Sequence, residues 1–304
     1  MHVDLQERLA FRLIDERETR AAILIARLFQ ADVDVRERWK DIDKLYASLG
    51  GKSGVLGAVT TSERATADKS GRYAHYANGS IFERNGKAPF EVHGAIATLY
   101  AKLQYHRGEL GYPSTNQDAI GDAAKGVFNR FEGGVVYSAT ATGTHEVLGA
   151  IRTLHSSIGG VKDGLRYPVS GTIADGFVGR HQHFQQGSIW FSQATGARWL
   201  TGIIRQRFLD LGGVGSPFGW PVSSHTARAG GALARFQSGG MYAHLGKAYA
   251  ITNPIYGAYI KAGEVTGTLG WPISNPTPDG DLVFVDFEHG RLTYDPSTGQ
   301  VTQS

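Results

Sequence analysis

Leu269-Gly270-Trp271-Pro272 is a four-residue word that this chain repeats. It returns as Leu110-Gly111-Tyr112-Pro113, Leu165-Arg166-Tyr167-Pro168 and Phe218-Gly219-Trp220-Pro221. A weaker copy is Leu56-Gly57-Ala58-Val59, with Val59 in the proline slot. The steps between first letters are 54, 55, 53 and 51 residues. A near-constant period of that size marks an array of supersecondary units rather than two unrelated domains. Such units share a core with their neighbours.

Working outward from the word, the rest of the unit can be written. A helix precedes it, expected at Asp41 to Leu49, Gly94 to Gln104, Gly149 to Ile158, Gly202 to Leu211 and Ile255 to Ala262. A glycine-rich break such as Leu211-Gly212-Gly213 stops the helix, because glycine takes the left-handed conformation at little steric cost. A Ser or Thr stands two residues after the word: Thr61, Thr115, Ser170, Ser223 and Ser274. A hairpin follows, its first strand ending at Tyr76, Phe131, Phe184, Phe236 and Phe287. Three residues on is a glycine (Gly79, Gly134, Gly187, Gly239, Gly290), which suggests a tight turn with positive φ. The second strand carries an aromatic at Phe82, Tyr137, Trp190 and Tyr242; in the fifth copy Thr293 takes that place and Tyr294 follows. A glycine-bearing loop, as in Thr142-Gly143-Thr144-His145, leads to the next helix.

Five words and five hairpins are present, with the helix of the first unit supplied by Asp41 to Leu49. The last hairpin lacks a following helix and the first helix lacks a preceding hairpin. A ring would bring those ends together; an open array would need capping segments. Residues 1–41 differ from everything after them, with 17 charged residues and no glycine or proline. Apolar residues recur there at helical spacing, as in Leu5, Leu9, Leu13 and then Ala22, Ile25, Ala26, Phe29. This segment reads as an amphipathic helical extension that caps the array, dimerises or docks a protein partner. The repeat domain is then 42–304.

Composition narrows the classes. With 31 basic against 28 acidic residues and no Lys/Arg run, the chain lacks the concentrated basic patch of a nucleic-acid binder. No apolar stretch is long enough for a membrane span. The absence of cysteine removes disulfides and thiolate metal sites. The start, Met1-His2-Val3-Asp4-Leu5-Gln6-Glu7-Arg8, does not read as a basic-then-apolar signal peptide.

Two sets of side chains are candidates for ligand binding. The residue before each hairpin aromatic is His75, Arg130, His183, Arg235 or Asp286. Strand alternation turns it away from the buried ring, so a ring of donors for glycan hydroxyls or acids is one reading and a solvated strand face the other. The second set is aromatic: Tyr112, Tyr167, Trp220 and Trp271 of the words, and Tyr137, Trp190 and Tyr242 of the strands. These rings either pack between units or stack on the apolar faces of sugars. The hydroxyls two residues after the word, and Asp68, Asp122, Asp175 and Asp279 before the hairpins, fit turn capping.

Enzyme signatures fail. Gly51-Lys52-Ser53 lacks the upstream glycine of a phosphate loop, and His145-Glu146-Val147-Leu148-Gly149 lacks the second histidine of a zinc helix. His181 and His183 share a strand face, but two ligands do not make a zinc site. No Gly-x-Ser-x-Gly elbow occurs. No cofactor is expected.

Three motifs in fixed order, the Leu-Gly-aromatic-Pro word, the Phe-x-x-Gly hairpin and the Thr-Gly loop, resemble the LGFP-repeat family over residues 42–302. The chain departs from that pattern at Val59, Arg166 and Thr293. The resemblance implies a closed disc of five units and a role in binding wall glycan such as arabinogalactan, at the cell wall or outside the cell. The expected fold is therefore α+β: five helix-plus-hairpin units closed into a pseudo-five-fold disc, with an N-terminal helical extension. The expected function is non-catalytic, multivalent binding of cell-wall or surface polysaccharide. The alternatives are an interaction protein acting through residues 1–41, and an accessory or degenerate wall hydrolase.

Overall fold

The computed structural model describes residues 19–21, 23–27, 41–121 and 126–304. Helix is present at residues 19–21 and 23–27. The remainder of the expected N-terminal extension lies outside the described residues. Five helices precede the five words or their equivalents: α1 (Asp41–Ser48), α2 (Gly94–Lys102), α3 (Gly149–Ser157), α4 (Gly202–Asp210) and α5 (Ile255–Lys261). No described helix is long and apolar enough to cross a membrane.

Each unit is dominated by β structure. Where one hairpin is expected, a four-stranded antiparallel meander is found, its strands adjacent in chain order: β1 (Val59–Ala65), β2 (Gly71–Tyr76), β3 (Gly79–Arg84) and β4 (Pro89–His93); β5 (Asp118–Ala119), β6 (Val127–Arg130), β7 (Gly134–Ala139) and β8 (Gly143–Leu148); β9 (Ile173–Asp175), β10 (Gly179–Phe184), β11 (Gly187–Ser192) and β12 (Gly196–Leu200); β13 (Thr226–Arg228), β14 (Gly231–Phe236), β15 (Gly239–His244) and β16 (Lys247–Thr252); β17 (Thr277–Asp279), β18 (Leu282–Phe287), β19 (Gly290–Asp295) and β20 (Gln300–Gln303). The expected hairpins are the two central strands, as in β10 (Gly179–Phe184) with β11 (Gly187–Ser192). An outer strand is added on each side. The segment read as a loop around Gly143 is a β-turn leading into β8 (Gly143–Leu148). Gly149 (φ 48°) then turns the chain directly into α3. The α+β expectation thus gives way to a mostly β repeat with one short helix per unit.

The word glycine has the reason anticipated for it. Gly57, Gly111, Gly219 and Gly270 lie at φ between 68° and 73°, and Arg166 is held at φ 62°. Of the hairpin glycines only Gly290, at φ 151°, does. Gly79, Gly134, Gly187 and Gly239 are absent from the positive-φ residues. Close approach excludes a side chain instead: a methyl group on Gly187 would stand 2.6 Å from the Leu200 carbonyl oxygen and 2.7 Å from Leu165 Cδ2. Leu165 is the first letter of the word, so the word and the hairpin lock together through this glycine.

The chain divides into two compact bodies, Met1–Ala101 with Tyr112–Gln117, and Lys102–Gly111 with Asp118–Ser304. In the first, Ile42 of α1 and Leu56 of the word pack with Tyr76 and Ile81 of the sheet. In the second, each helix buries residues at i and i+4, as helical periodicity requires: Ile151 and His155, Ile204 and Phe208, Ile255 and Tyr259. The second of each pair bridges two sheets. Phe208 lies 5.2 Å from Trp190 of the preceding sheet and 4.7 Å from Phe236 of the following one. Tyr259 joins Tyr242 to Phe287 in the same way, and His155 joins Tyr137 to Phe184. Where the bridging residue has a polar end, it donates to the carbonyl of the second word position: Tyr46 to Gly57, His155 to Arg166 and Tyr259 to Gly270.

Word aromatics make a second kind of joint. Trp220 covers Gly179, the first residue of β10, where any β-carbon would overlap the indole ring. Tyr112 covers Gly71, Tyr167 covers Gly126 and Trp271 covers Gly231 in equivalent places. A ring seated in a glycine notch therefore recurs at four joints.

Candidate functional site

The side chains expected to form a basic ring are occupied by the protein itself. His75 Nδ1 lies 2.6 Å from Ser80 Oγ, and His183 Nδ1 lies 2.7 Å from Ser188 Oγ. Arg205 of α4 donates to that same Ser188 oxygen at 2.6 Å. Burial pulls both imidazoles below the usual histidine range, and for His183 the nearby His181 and Arg205 add to the effect. Arg235 pairs with Glu264 at 2.5 Å, and the Tyr242 hydroxyl donates to the same carboxylate at 2.8 Å. The fifth member, Asp286, pairs with Arg291. Arg130 is exposed, its guanidinium over the Phe128 ring. Strand alternation does place these residues on one face per sheet. The adjacent strand supplies the partners of His75, His183 and Asp286, the turn at Glu264 supplies that of Arg235, and His183 also meets Arg205 of the following helix.

The aromatic candidates divide more sharply. Tyr112, Trp190, Trp220, Tyr242 and Trp271 are buried in the joints just described. No ring face remains open to a sugar, which corrects their assignment as stacking platforms. Tyr137 and Tyr167 are half-buried and meet edge to face, with centroids 6.3 Å apart. The hydroxyls of Ser170, Ser223 and Ser274 accept from the backbone N–H of His183, Arg235 and Asp286. They tie the word to the central strand, and Ser170 also donates to the Gly171 carbonyl of its own turn at 2.9 Å. Asp68 caps its turn through the Ser70 N–H, whereas Asp175 holds His181 Nδ1 at 2.7 Å. Asp122 lies outside the described residues.

Sequence reasoning also missed a buried acid-base-acid group on the first sheet. Arg72 of β2 (Gly71–Tyr76) bonds Glu63 of β1 (Val59–Ala65) and, at 2.6 Å, Glu83 of β3 (Gly79–Arg84). Two carboxylates share one cation, and burial raises the Glu63 pKa to about 7 against the pull of Arg72. Among the described residues no cluster of three or more His, Asp or Glu side chains has the arrangement of a metal site.

The most open arrangement of stacking and hydrogen-bonding groups lies on the second and third sheets. β9 (Ile173–Asp175) and β10 are joined by Gly176-Phe177-Val178. Phe177 is 110% exposed, so its ring presents all its surface to solvent. It stands at a cleft of about 610 Å³. Lys102, Gln104 and Glu109 line one part of that cleft; Arg180 and Gln193 line another. Arg180 and Glu109 form an exposed ion pair at 2.6 Å. A pair of this kind contributes less than about 1 kcal/mol, so exchanging it for ligand hydrogen bonds costs little.

The cleft is also a place of backbone strain. Gln104 and Tyr105 stand at φ 66° and 54°. The equivalent pairs are Gly50-Gly51, Gly159-Gly160, Gly212-Gly213 and Gly263-Glu264, all left-handed. A side chain in that conformation costs roughly 1–2 kcal/mol. The second unit alone carries side chains at both positions, and Gln104 points to this cleft as a lining residue. The volume lies within the range of small-molecule sites, about 300–1,000 Å³. An open ring with amide, ammonium, carboxylate and guanidinium groups around it suits a polyhydroxylated ligand. Sugar rings offer an apolar face for stacking and hydroxyls for the polar groups.

No curated protein sequence matches this chain. Among solved structures, the AfRom2 CNH domain is 6% identical, with 79% of this chain and 82% of that chain covered and a TM-score of 0.17. The extracellular domain of BT4673 from B. thetaiotaomicron is 11% identical, with 82% and 30% covered and a TM-score of 0.16. Kluyvelomyces marxianus Hsv2 is 10% identical, with 80% and 60% covered and a TM-score of 0.13. Scores this low carry no argument. The LGFP-repeat profile, by contrast, matches residues 56–108, 110–163 and 165–216, three consecutive units that together span just over half of the chain. With the same word, helix and four-stranded sheet continuing through two further units, the chain belongs to the LGFP-repeat family, a non-catalytic, cell-wall-associated class of repeat protein.

Proposed function

We propose that this chain is a non-enzymatic module that holds cell-wall or surface polysaccharide, an arabinogalactan-like glycan, in the Phe177 cleft. The observation that carries this reading is the fully exposed Phe177 ring beside a 610 Å³ cleft lined by hydrogen-bonding side chains. Phe177 is joined by the exposed Val178, and apolar side chains grouped in solvent at the edge of a polar-rimmed cleft are the pattern of a ligand-binding surface. The repeated positions serve the scaffold, and the features found in one unit alone serve binding.

The five units are further proposed to close into a pseudo-five-fold disc. Four joints seat a ring over a glycine. The two slots left over exchange their sizes: Ala58 replaces the word aromatic and Leu282 replaces the glycine. Closure would bring the small Ala58 to the larger Leu282, and the ring is proposed on that complementary swap in the sequence alone. Cysteines introduced as Ala58→Cys and Leu282→Cys test it, since a disulfide requires the two Cα atoms within about 7 Å. Failure to cross-link under oxidising conditions would argue for an open array.

Binding is tested by pull-down on insoluble actinobacterial wall, with soluble arabinogalactan as competitor. Retention that arabinogalactan displaces, and that Phe177→Ala weakens about tenfold, supports the proposal. Retention indifferent to both would overturn it. A second reading assigns the main role to the N-terminal helix, where Ile23, Leu24 and Ile25 are exposed. It expects self-association or capture of a protein partner that a chain beginning near Asp41 no longer shows by size-exclusion chromatography.

A further inference from the structure

A second cleft, of about 600 Å³, lies on the other side of the third word and is lined by different chemistry. Lys162, Arg166, Tyr167 and Gln185 supply its side chains, with the β7–β8 turn at 139–142 as backbone. Among the described residues no acidic side chain lines it. Two cations thus face one concavity whose described lining holds no carboxylate.

Arg166 is the decisive residue. In every other unit its place in the word is glycine, and the backbone there is left-handed. Arg166 adopts φ 62° all the same. Non-glycine residues persist in that region only where the surrounding structure holds them, and such positions cluster at functional sites. Here the side chain is positioned by Gln186. With the amide oriented so that its N–H donates to the Gly164 carbonyl at 3.2 Å, its carbonyl oxygen accepts from Arg166 Nε at 2.8 Å. The terminal guanidinium nitrogens form no ion pair with any described residue, nor does the Lys162 ammonium.

Beside them the Tyr167 hydroxyl is closed off from solvent and has no hydrogen-bond partner among the described residues. Burial raises its pKa, so it remains a protonated donor. A planar guanidinium presents parallel N–H groups that match a carboxylate or phosphate. The adjoining ammonium adds a second charge. We infer that this cleft binds an oxyanion carried on a sugar, a uronate carboxylate or a sugar phosphate, with Arg166 and Lys162 as the clamp. The inference rests on the reading of the chain as a glycan binder and extends it to acidic glycan substituents at a second place.

Amide-resolved NMR titration of the full chain tests it. Glucuronate and glucose 6-phosphate are the probes, and glucose at matched ionic strength is the neutral control. The expected result is saturable shifts at 139–142 with one or both acidic sugars and none with glucose. The acid that binds more tightly identifies the source of the anion. Arg166→Gly and Lys162→Gln are each expected to weaken binding at least tenfold. Arg166→Gly should do so while leaving the protein at least as resistant to heat, since it relieves the left-handed strain; a purely structural arginine would change thermal stability and leave binding alone. Unchanged binding in both variants, equal binding of glucose, or no saturable shift in the wild-type protein overturns the inference. Arabinogalactan retention through Phe177 is read separately, so loss of one site does not imply loss of the other.

Discussion

Two aromatic truncations separate scaffold from site. Trp220→Ala removes a ring that seats over Gly179 and packs with Phe208, Phe218 and Phe236. A buried tryptophan removes about 150–250 Å² from water. At about 25 cal/mol per Å² that corresponds to roughly 4–6 kcal/mol. Measured aromatic-to-alanine losses in cores are about 3–5 kcal/mol, so roughly 4 kcal/mol is a consistent figure. For a chain of this size each kcal/mol moves Tm by about 2–4 °C, and a fall on the order of 10 °C follows. Phe177→Ala removes a ring with no buried area to lose. Exposed substitutions of this kind stay within about 0.5 kcal/mol, so Tm should hold within about 2 °C. Its effect is expected in half-saturation by soluble arabinogalactan, weakened about tenfold, equivalent to about 1.4 kcal/mol. Calorimetry gives the first quantity for both variants, and retention on wall material gives the second. A Phe177→Ala protein that melts well below wild type, or a Trp220→Ala protein that melts with it, would refute the division.

Other outcomes follow from the same geometry. His75, His155, His183 and His225 are all pulled below 6.5 by burial, so the unfolded chain takes up protons before the folded one does. Stability should therefore fall as pH drops below about 6.5, seen as a lower urea midpoint at pH 5.5 than at pH 7.5; a flat or rising midpoint would contradict it. Glu63 acts in the opposite sense, because the folded state keeps its proton up to about 7 while the unfolded state releases it near 4.5. Glu63→Gln should match wild type at pH 5 and be at least as stable at pH 8, checked by thermal melts at both values. Gly187→Ala should cost about 1–3 kcal/mol, because the methyl meets the Leu200 carbonyl and the Leu165 side chain rather than because of φ; chemical denaturation measures it.

Repetition made the scaffold legible. The period located five units, and each helix was placed to within a residue or two from Ile–aromatic spacing and the glycines that follow. The outer strands were harder. β8 is six residues long and runs straight into Gly149, so its turn glycine and the helix glycine read together as one loop. The hairpin glycines looked like turn formers because the interfering atoms, Leu165 Cδ2 and the Leu200 carbonyl, come from other elements. The aromatic candidates failed for a related reason. Strand alternation says which residues share a face, and only the fold reveals that a helix and the next word cover that face. The cleft residues carried a different signal. Phe177, Gln104 and Arg166 break the repeat where other units hold small, polar or glycine residues, so it is departures from the pattern, rather than the pattern, that coincide with the two proposed clefts.

An amide-resolved titration of the full chain with arabinogalactan fragments addresses the polysaccharide-binding proposal most directly. The expected result is saturable perturbation at Gly176, Phe177, Val178 and Gly179, with Gln104 and Gln193 moving in step. Perturbation confined to the His75, His183 and Arg235 strand faces, or none at any concentration, would contradict it.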